Sequence, residues 1–287
     1  MKVHLVDVTY ELFRAYFGAP KLASPDGREV GAVRGLLASM LYLLQQEGAT
    51  HVACASDTVI RSFRNDLYAG YKTEAGVPLE LLAQFPLAEE GLRALGLVVW
   101  GMIELEADDA LAAGAARYAA EVDQVIIATP DKDLAQCVDG TRVVLYDRRG
   151  KRIIDEAAVR AKWGVAPRSI PDWLALVGDT SDGYPGIPGW GKKTASAVLA
   201  VYEHVEAIPD DARAWKLPVR GADRLAATLA SRRVEAALYK RLATLRTDVP
   251  PAEPLAELEW HGARPELRDF CGRQGYNDLV ERAGRWA

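Results

Sequence analysis

The 287 residues are 49% apolar, 26% charged and 8% aromatic, with a net charge of −5. That is enough apolar chain for a sizeable core, and too balanced a composition for a disordered or fibrous protein. Acids break up the opening MKVHLVDVTYELFR and no long apolar run follows, which argues against a signal peptide and a membrane span, while the scattered Cys54, Cys137 and Cys271 argue against disulfides or zinc and for a cytoplasmic location.

Lys2–Val6 is a short apolar run that predicts a first strand. Gly31–Gln46 carries Val33, Leu36, Leu37, Met40, Leu41 and Leu44 at helical spacing. His51–Ala55 predicts a second strand, Leu79–Leu95 a second helical stretch and Leu97–Trp100 a third strand. An Ala-rich helix over about Asp109–Ala120 precedes strands at Gln124–Ala128 and Val143–Tyr146. This alternation predicts an α/β fold, a mostly parallel central sheet flanked by helices. From Ile170 onward the pattern is helical apart from the turn-rich Gly183–Gly191, and no internal repeat is present. Pro250, Pro251 and Pro254 predict an irregular connection before a last helical pair, Pro265–Gly272 and Asn277–Trp286. The expected division is a core over residues 1–182 and a helical region over residues 183–287.

Residues 1–182 carry a charge of −7 and residues 183–250 a charge of +4. Much of the acidity sits where strands end or helices begin. Asp7 and Asp57 follow the first two strands; Asp131 and Asp133 follow the fourth. Glu106, Asp108 and Asp109 open the Ala-rich helix, and Asp179 and Asp182 precede the turn-rich segment. Acids at such places are ordinary caps and turn residues when taken singly. Together they would repel unless cations neutralise them, and oxygen donors without His or thiolate suit Mg²⁺ or Mn²⁺. Two such ions clamp the attacking and leaving oxygens of a phosphodiester, so the cluster points to metal-assisted phosphoryl chemistry.

Arg64, Tyr68, Tyr71 and Lys72 lie together in RSFRNDLYAGYK, residue types that bind phosphates and stack on bases, although an ordinary amphipathic surface segment uses them too. Gly186–Thr194 fails as a P-loop, because Lys193 stands where Ser or Thr must hold the ion and no strand precedes it. It reads instead as a tight turn with Gly186, Gly189 and Gly191, opening a helix at Lys192, Lys193 and Thr194 whose first N–H groups and ammonium charges suit a phosphate backbone.

VDVTYELFRAYF, FRNDLYAGYK, ELEADDALA, ATPDKDLAQ and LALVGDTSDGYPGIPGWGKKTA, with the spacing between them, closely resemble the 5′-nuclease family over about residues 2–203. That family includes the exonuclease domain of bacterial DNA polymerase I, its stand-alone relatives and the flap endonucleases. The resemblance implies a PIN-like core and a structure-specific 5′→3′ exonuclease and flap endonuclease, here free-standing. It implies two divalent ions, one held mainly by Asp7, Asp57, Glu106 and Asp108 with Asp109 nearby, the other by Asp131, Asp133, Asp179 and Asp182. Arg64 and Lys72 would steer the scissile phosphate. A helix–hairpin–helix around Gly186–Thr194 would grip the duplex, in relatives with help from K⁺. Residues 64–92 would contain an arch for a 5′ single strand, although Ala75 stands where relatives often carry Arg and the segment from Thr73 to Leu92 has acids but no Lys or Arg. Val8, Pro130 and Gly183 also depart from the family pattern without removing a carboxylate. The expected partner is DNA with 5′ ends, flaps or branches, handled by a monomer alongside replication or repair proteins. A non-cleaving branched-DNA binding module and a metal-dependent ribonuclease on a related core are the alternatives.

Overall fold

The computed structural model describes residues 1–249 and 253–287; Pro250 and Pro251 of the expected irregular connection lie outside them. In chain order the chain forms β1 (Lys2–Asp7), α1 (Val8–Gly18), α2 (Gly31–Gln45), β2 (His51–Asp57), α3 (Arg64–Leu67), α4 (Leu79–Leu82) and α5 (Phe85–Ala94). Then follow β3 (Val98–Met102), α6 (Ala107–Tyr118), β4 (Gln124–Ala128), β5 (Val143–Asp147), β6 (Arg152–Ile154), α7 (Glu156–Trp163) and α8 (Ile170–Val177). The last elements are α9 (Lys192–Tyr202), α10 (Ala222–Ser231), α11 (Arg233–Ala243), α12 (Glu266–Gln274) and α13 (Asn277–Ala283). Among the described residues no helix is long and apolar enough to cross a membrane.

The chain divides into two compact units. The first comprises Met1–Ile60, Glu74–Thr129 and Thr247–Ala287. Its sheet is parallel, ordered β3-β2-β1-β4, with Leu5 opposite Ala53 on one side and Ile127 on the other. β1, β2 and β4 are buried almost throughout, as expected of parallel strands covered on both faces, whereas the edge strand β3 buries only Trp100. α2 supplies Val33, Leu36, Leu37, Met40 and Leu41 to the core at the predicted spacing. The expected helix Leu79–Leu95 is instead two, α4 and α5, and Pro86 sits in the first turn of α5, where its missing N–H costs nothing. α1 was not legible from periodicity; Asp7 starts it by capping, its carboxylate accepting from Tyr10 N at 2.8 Å. The C-terminal stretch completes this core. Trp260 Nε1 donates to Leu95 O at 2.9 Å, Tyr276 Oη donates to Val30 O at 2.6 Å, and Phe270 is buried.

The second unit comprises Arg61–Thr73 and Pro130–Arg246. β5 and β6 form an antiparallel hairpin, and Asp155 caps α7 by accepting from Ala158 N at 2.9 Å. Trp173, Leu174, Trp190, Leu199, Leu229 and Leu242 are among its buried apolar residues. Asp172 on α8 is fully buried and accepts from Lys240 Nζ at 2.8 Å, from Val205 N at 2.8 Å, and bonds His204 Nδ1 at 3.0 Å. That one carboxylate ties α8 to the turn after α9 and to α11. Expected as one helical region, residues 183–287 are shared between the units, because an apolar helix face does not specify which core it covers. Across both units the class is as expected, mostly parallel strands flanked by helices, with a helical C-terminal part.

Candidate metal centre

In the second unit, Asp133, Asp179 and Asp182 are brought together: all three are buried, and each offers a carboxylate oxygen within 4.8 Å of the others. The local reasons are visible in the backbone. Asp131 accepts from Asp133 N at 2.9 Å in a tight turn after β4, which aims Asp133 inward. Asp179 follows α8 and accepts from Ser181 N at 2.9 Å, while its main chain pairs with Tyr184 to close a short loop that carries Asp182. Gly183 sits in that loop at φ +86°, and a Cβ there would lie 2.2 Å from Gly70 O. Only glycine permits both the dihedral and the approach.

Two ammonium groups flank the three acids. Lys132 Nζ lies 2.5 Å from Asp179 Oδ2 and 3.6 Å from Asp133 Oδ1, and Lys72 Nζ lies 3.0 Å from Asp182 Oδ1. Burial, then the charges of Asp131 and Asp182, hold the Asp133 carboxyl well above the usual carboxylate range. Asp133 Oδ1 is buried without a hydrogen-bond donor. Three converging carboxylates, one with an unmet oxygen, are what a hard divalent cation requires, so the residues present fit such an ion.

In the first unit the acids are placed differently. Asp7 is buried, and its second oxygen accepts from Thr129 Oγ1 at 3.0 Å. Asp57 ends β2 and accepts from Ala107 N at 2.7 Å, at the start of α6. Glu106 is the N-cap of α6 and Asp109 returns its carboxylate to Glu106 N at 3.1 Å, a reciprocal capping box. Asp108 lies in the same first turn. Among the described residues, no three of these five bring donor oxygens together as closely as the acids of the second unit do. The capping reading thus accounts for much of Asp109, which is fully buried.

Arg64 and Tyr71, expected to face phosphates and bases, are interior. Arg64 is 1% exposed, and its guanidinium donates from Nε to Leu242 O at 2.8 Å and from Nη2 to Thr244 O at 3.3 Å. Tyr71 is 3% exposed, with Lys72 Nζ 5.5 Å from its ring centroid. Tyr68 remains partly exposed and packs edge-on against Tyr239. Of the acids in the expected arch, Glu80 pairs with Lys21 at 3.2 Å, Glu89 with Arg93 at 3.1 Å and Glu90 with Arg273. Glu89 belongs to the buried side of α5 and also accepts from Thr58 Oγ1. Much of that acidity is matched locally.

The turn before α9 is built as its glycines require. Gly186 has φ +72°, and a Cβ there would stand 2.3 Å from Gly178 N. Gly189 has φ +85°. Gly191 is the N-cap of α9 and provides no side-chain cap, so the first-turn N–H groups receive none from it. Lys192 and Lys193 are exposed and Thr194 is partly so. With Lys162, Trp163, Trp173 and Ser196, both lysines line a cavity of about 510 Å³.

Sequence reasoning missed Lys132 and Tyr184. Lys132 stood in plain view inside TPDKDL, but a lysine between two aspartates reads as solvated charge.

Comparison with known proteins agrees with these features. Residues 2–164 match the family model for the 5′-3′ exonuclease N-terminal resolvase-like domain, and residues 165–266 that for the 5′-3′ exonuclease C-terminal SAM fold. A 5′-3′ exonuclease of Streptomyces coelicolor is 37% identical, with 97% of each chain covered. DNA polymerase I of Pseudomonas aeruginosa is 37% identical over 85% of this chain, which spans 27% of that protein's length. The T5 5′-exonuclease with divalent metal ions (zinc) bound shares the fold, with a TM-score of 0.71 at 18% identity over 99% of this chain and all of that one. By its sequence over both matched regions, the chain belongs to the 5′-3′ exonuclease family.

Proposed function

We propose that this chain is an Mg²⁺-dependent, structure-specific 5′→3′ DNA exonuclease and 5′-flap endonuclease. The observation that carries the reading is the buried convergence of Asp133, Asp179 and Asp182 beside Lys132 and Lys72. Family membership supports the reaction class, and the oxygen-only donor set supports Mg²⁺, with Mn²⁺ able to replace it. Asp131, Asp133, Asp179 and Asp182 would hold one ion; Asp7, Asp57, Glu106 and Asp108, with Asp109 as their positioning cap, would hold a second. Such ions supply charge stabilisation and a nucleophile at neutral pH for phosphodiester hydrolysis. The products would be a 5′-phosphate and a 3′-hydroxyl.

The chain's own residues divide the remaining work. Lys72, held on Asp182, would meet the scissile phosphate. Buried Arg64 would serve by fixing its segment to the end of α11 rather than by touching DNA. The uncapped start of α9 with Lys192, Lys193 and Thr194 would hold the duplex backbone as one half of a helix–hairpin–helix, a setting in which K⁺ can assist. Tyr68 offers a partly exposed ring to a base, whereas Tyr71 supports the loop from inside.

The deciding experiment is cleavage of a 5′-flap DNA duplex with Mg²⁺, with chelator, and by an Asp133→Asn variant. Cutting should vanish with chelator and fall at least about 100-fold in the variant. Chelator-resistant cutting, or an unimpaired variant, would overturn the metal-dependent reading.

A further inference from the structure

Tyr184 is left unused by the reaction as described. It follows the turn after Asp182, and its main chain is pinned to Asp179: Asp179 N donates to Tyr184 O at 2.8 Å and Tyr184 N donates to Asp179 O at 3.0 Å. Its ring stacks on Tyr239, with centroids 5.6 Å apart and planes 20° from parallel. The side chain is 1% exposed, and its hydroxyl has no hydrogen-bond partner. The charged groups that act on that hydroxyl are Asp133, Asp182 and Asp179, with Lys72 opposing them.

A buried hydroxyl without a partner is costly, and phenylalanine would fill the same space and stack equally well. The ring therefore does not explain the oxygen. The hydroxyl belongs to the loop that carries Asp179 and Asp182, it feels the charges of all three acids of the candidate ion site, and it is a neutral group that can donate a proton into a hydrogen bond. Its missing partner would then arrive with whatever fills that site. Hard divalent ions held by a few carboxylates keep several other oxygens around them, and these need donors of their own.

We propose that Tyr184 is a positioning residue of this metal centre, its hydroxyl donating to an oxygen that accompanies the ion, either a water of hydration or a phosphodiester oxygen of DNA. The inference rests on Asp133, Asp179 and Asp182 holding an ion. The ring is fixed in advance by Tyr239 and by the clamp to Asp179, so little freedom is lost when the bond forms. A neutral donor also orients the accompanying oxygen without adding charge to the carboxylates.

The test uses the full chain with Tyr184→Phe, which keeps the stacked ring and removes only the oxygen. Mn²⁺ is titrated alone, with free ion followed by electron paramagnetic resonance. Affinity for a 5′-flap duplex is then measured by fluorescence anisotropy in Ca²⁺. If the oxygen is water, Mn²⁺ binding weakens about tenfold, the low end of what partners of metal ligands contribute. If it is a phosphate oxygen, Mn²⁺ binding holds and DNA affinity falls several-fold. Melting in chelator stays level or rises in both cases, because the unmet hydroxyl is gone. Tyr184→Leu, measured in parallel, reports the packing of the ring alone. Wild-type Mn²⁺ and DNA affinity in Tyr184→Phe would overturn the proposal. Asp133→Asn and Asp179→Asn separate the two levels: if they too bind Mn²⁺ normally, the metal centre itself fails, whereas if they lose it, only the role of Tyr184 does.

Discussion

At the proposed ion site, a proton and a divalent cation would compete for the oxygens of Asp133. Burial and the charges of Asp131 and Asp182 raise its pKa in the folded chain above the unfolded value. The ionised form therefore costs folding stability at high pH, and the cost disappears as pH falls through the folded pKa. A bound cation removes that cost by pairing with the carboxylate. Mg²⁺ should accordingly raise Tm more at pH 8 than at pH 5.5, and melting curves at the two pH values with and without Mg²⁺ measure the difference. An equal rise at both would place the ion elsewhere. Asp133→Asn should melt higher than wild type in chelator while losing cleavage, the opposite signs expected of a residue kept for function rather than for the fold.

Among elements, α9 carries the clearest expectation. Lys192 and Lys193 are exposed at its uncapped start, where two lost phosphate contacts would flatten the dependence of log binding constant on log salt by roughly 1.8. Binding of the double alanine variant to duplex DNA at several salt concentrations checks this; an unchanged slope would remove α9 from the interface. Element boundaries also show how far the sequence could be read. Asp7 and Asp57 were legible as strand-end acids because parallel strands are short apolar runs that stop at the first charge. The structure places both in their strands' last positions. Asp109 was not separable from a ligand, since a cap three residues after Glu106 and an ion site ask for the same residue types in the same turn. Arg64 and Tyr71 carry the residue types of a nucleic-acid surface yet are buried. The reason for Arg64 is a carbonyl 178 residues away, and no local pattern announces that.

For the whole molecule, the net charge of −5 conceals an uneven distribution, since residues 1–182 carry −7 and residues 183–250 carry +4. Asp172 belongs to this scale because it joins three parts of the second unit. Asp172→Ala would leave Lys240 Nζ and Val205 N without their buried acceptor, at a cost of about 3 kcal/mol. Thermal denaturation should register that as a Tm lower by roughly 5–10 °C. A loss under about 1 kcal/mol would mean that water takes over those donors.

The first unit draws its core from three separate stretches, the last of them Thr247–Ala287. During synthesis, Trp260, Phe270 and Tyr276 leave the ribosome only after every residue of the second unit has been made. The second unit can thus pack while translation continues, but the parallel sheet must wait with part of its apolar cover missing. Shortening the chain past Thr247 would not trim a tail. It would leave the parallel sheet exposing apolar surface that Trp260, Phe270 and Tyr276 otherwise cover, and so turn a shortened chain into a target for degradation.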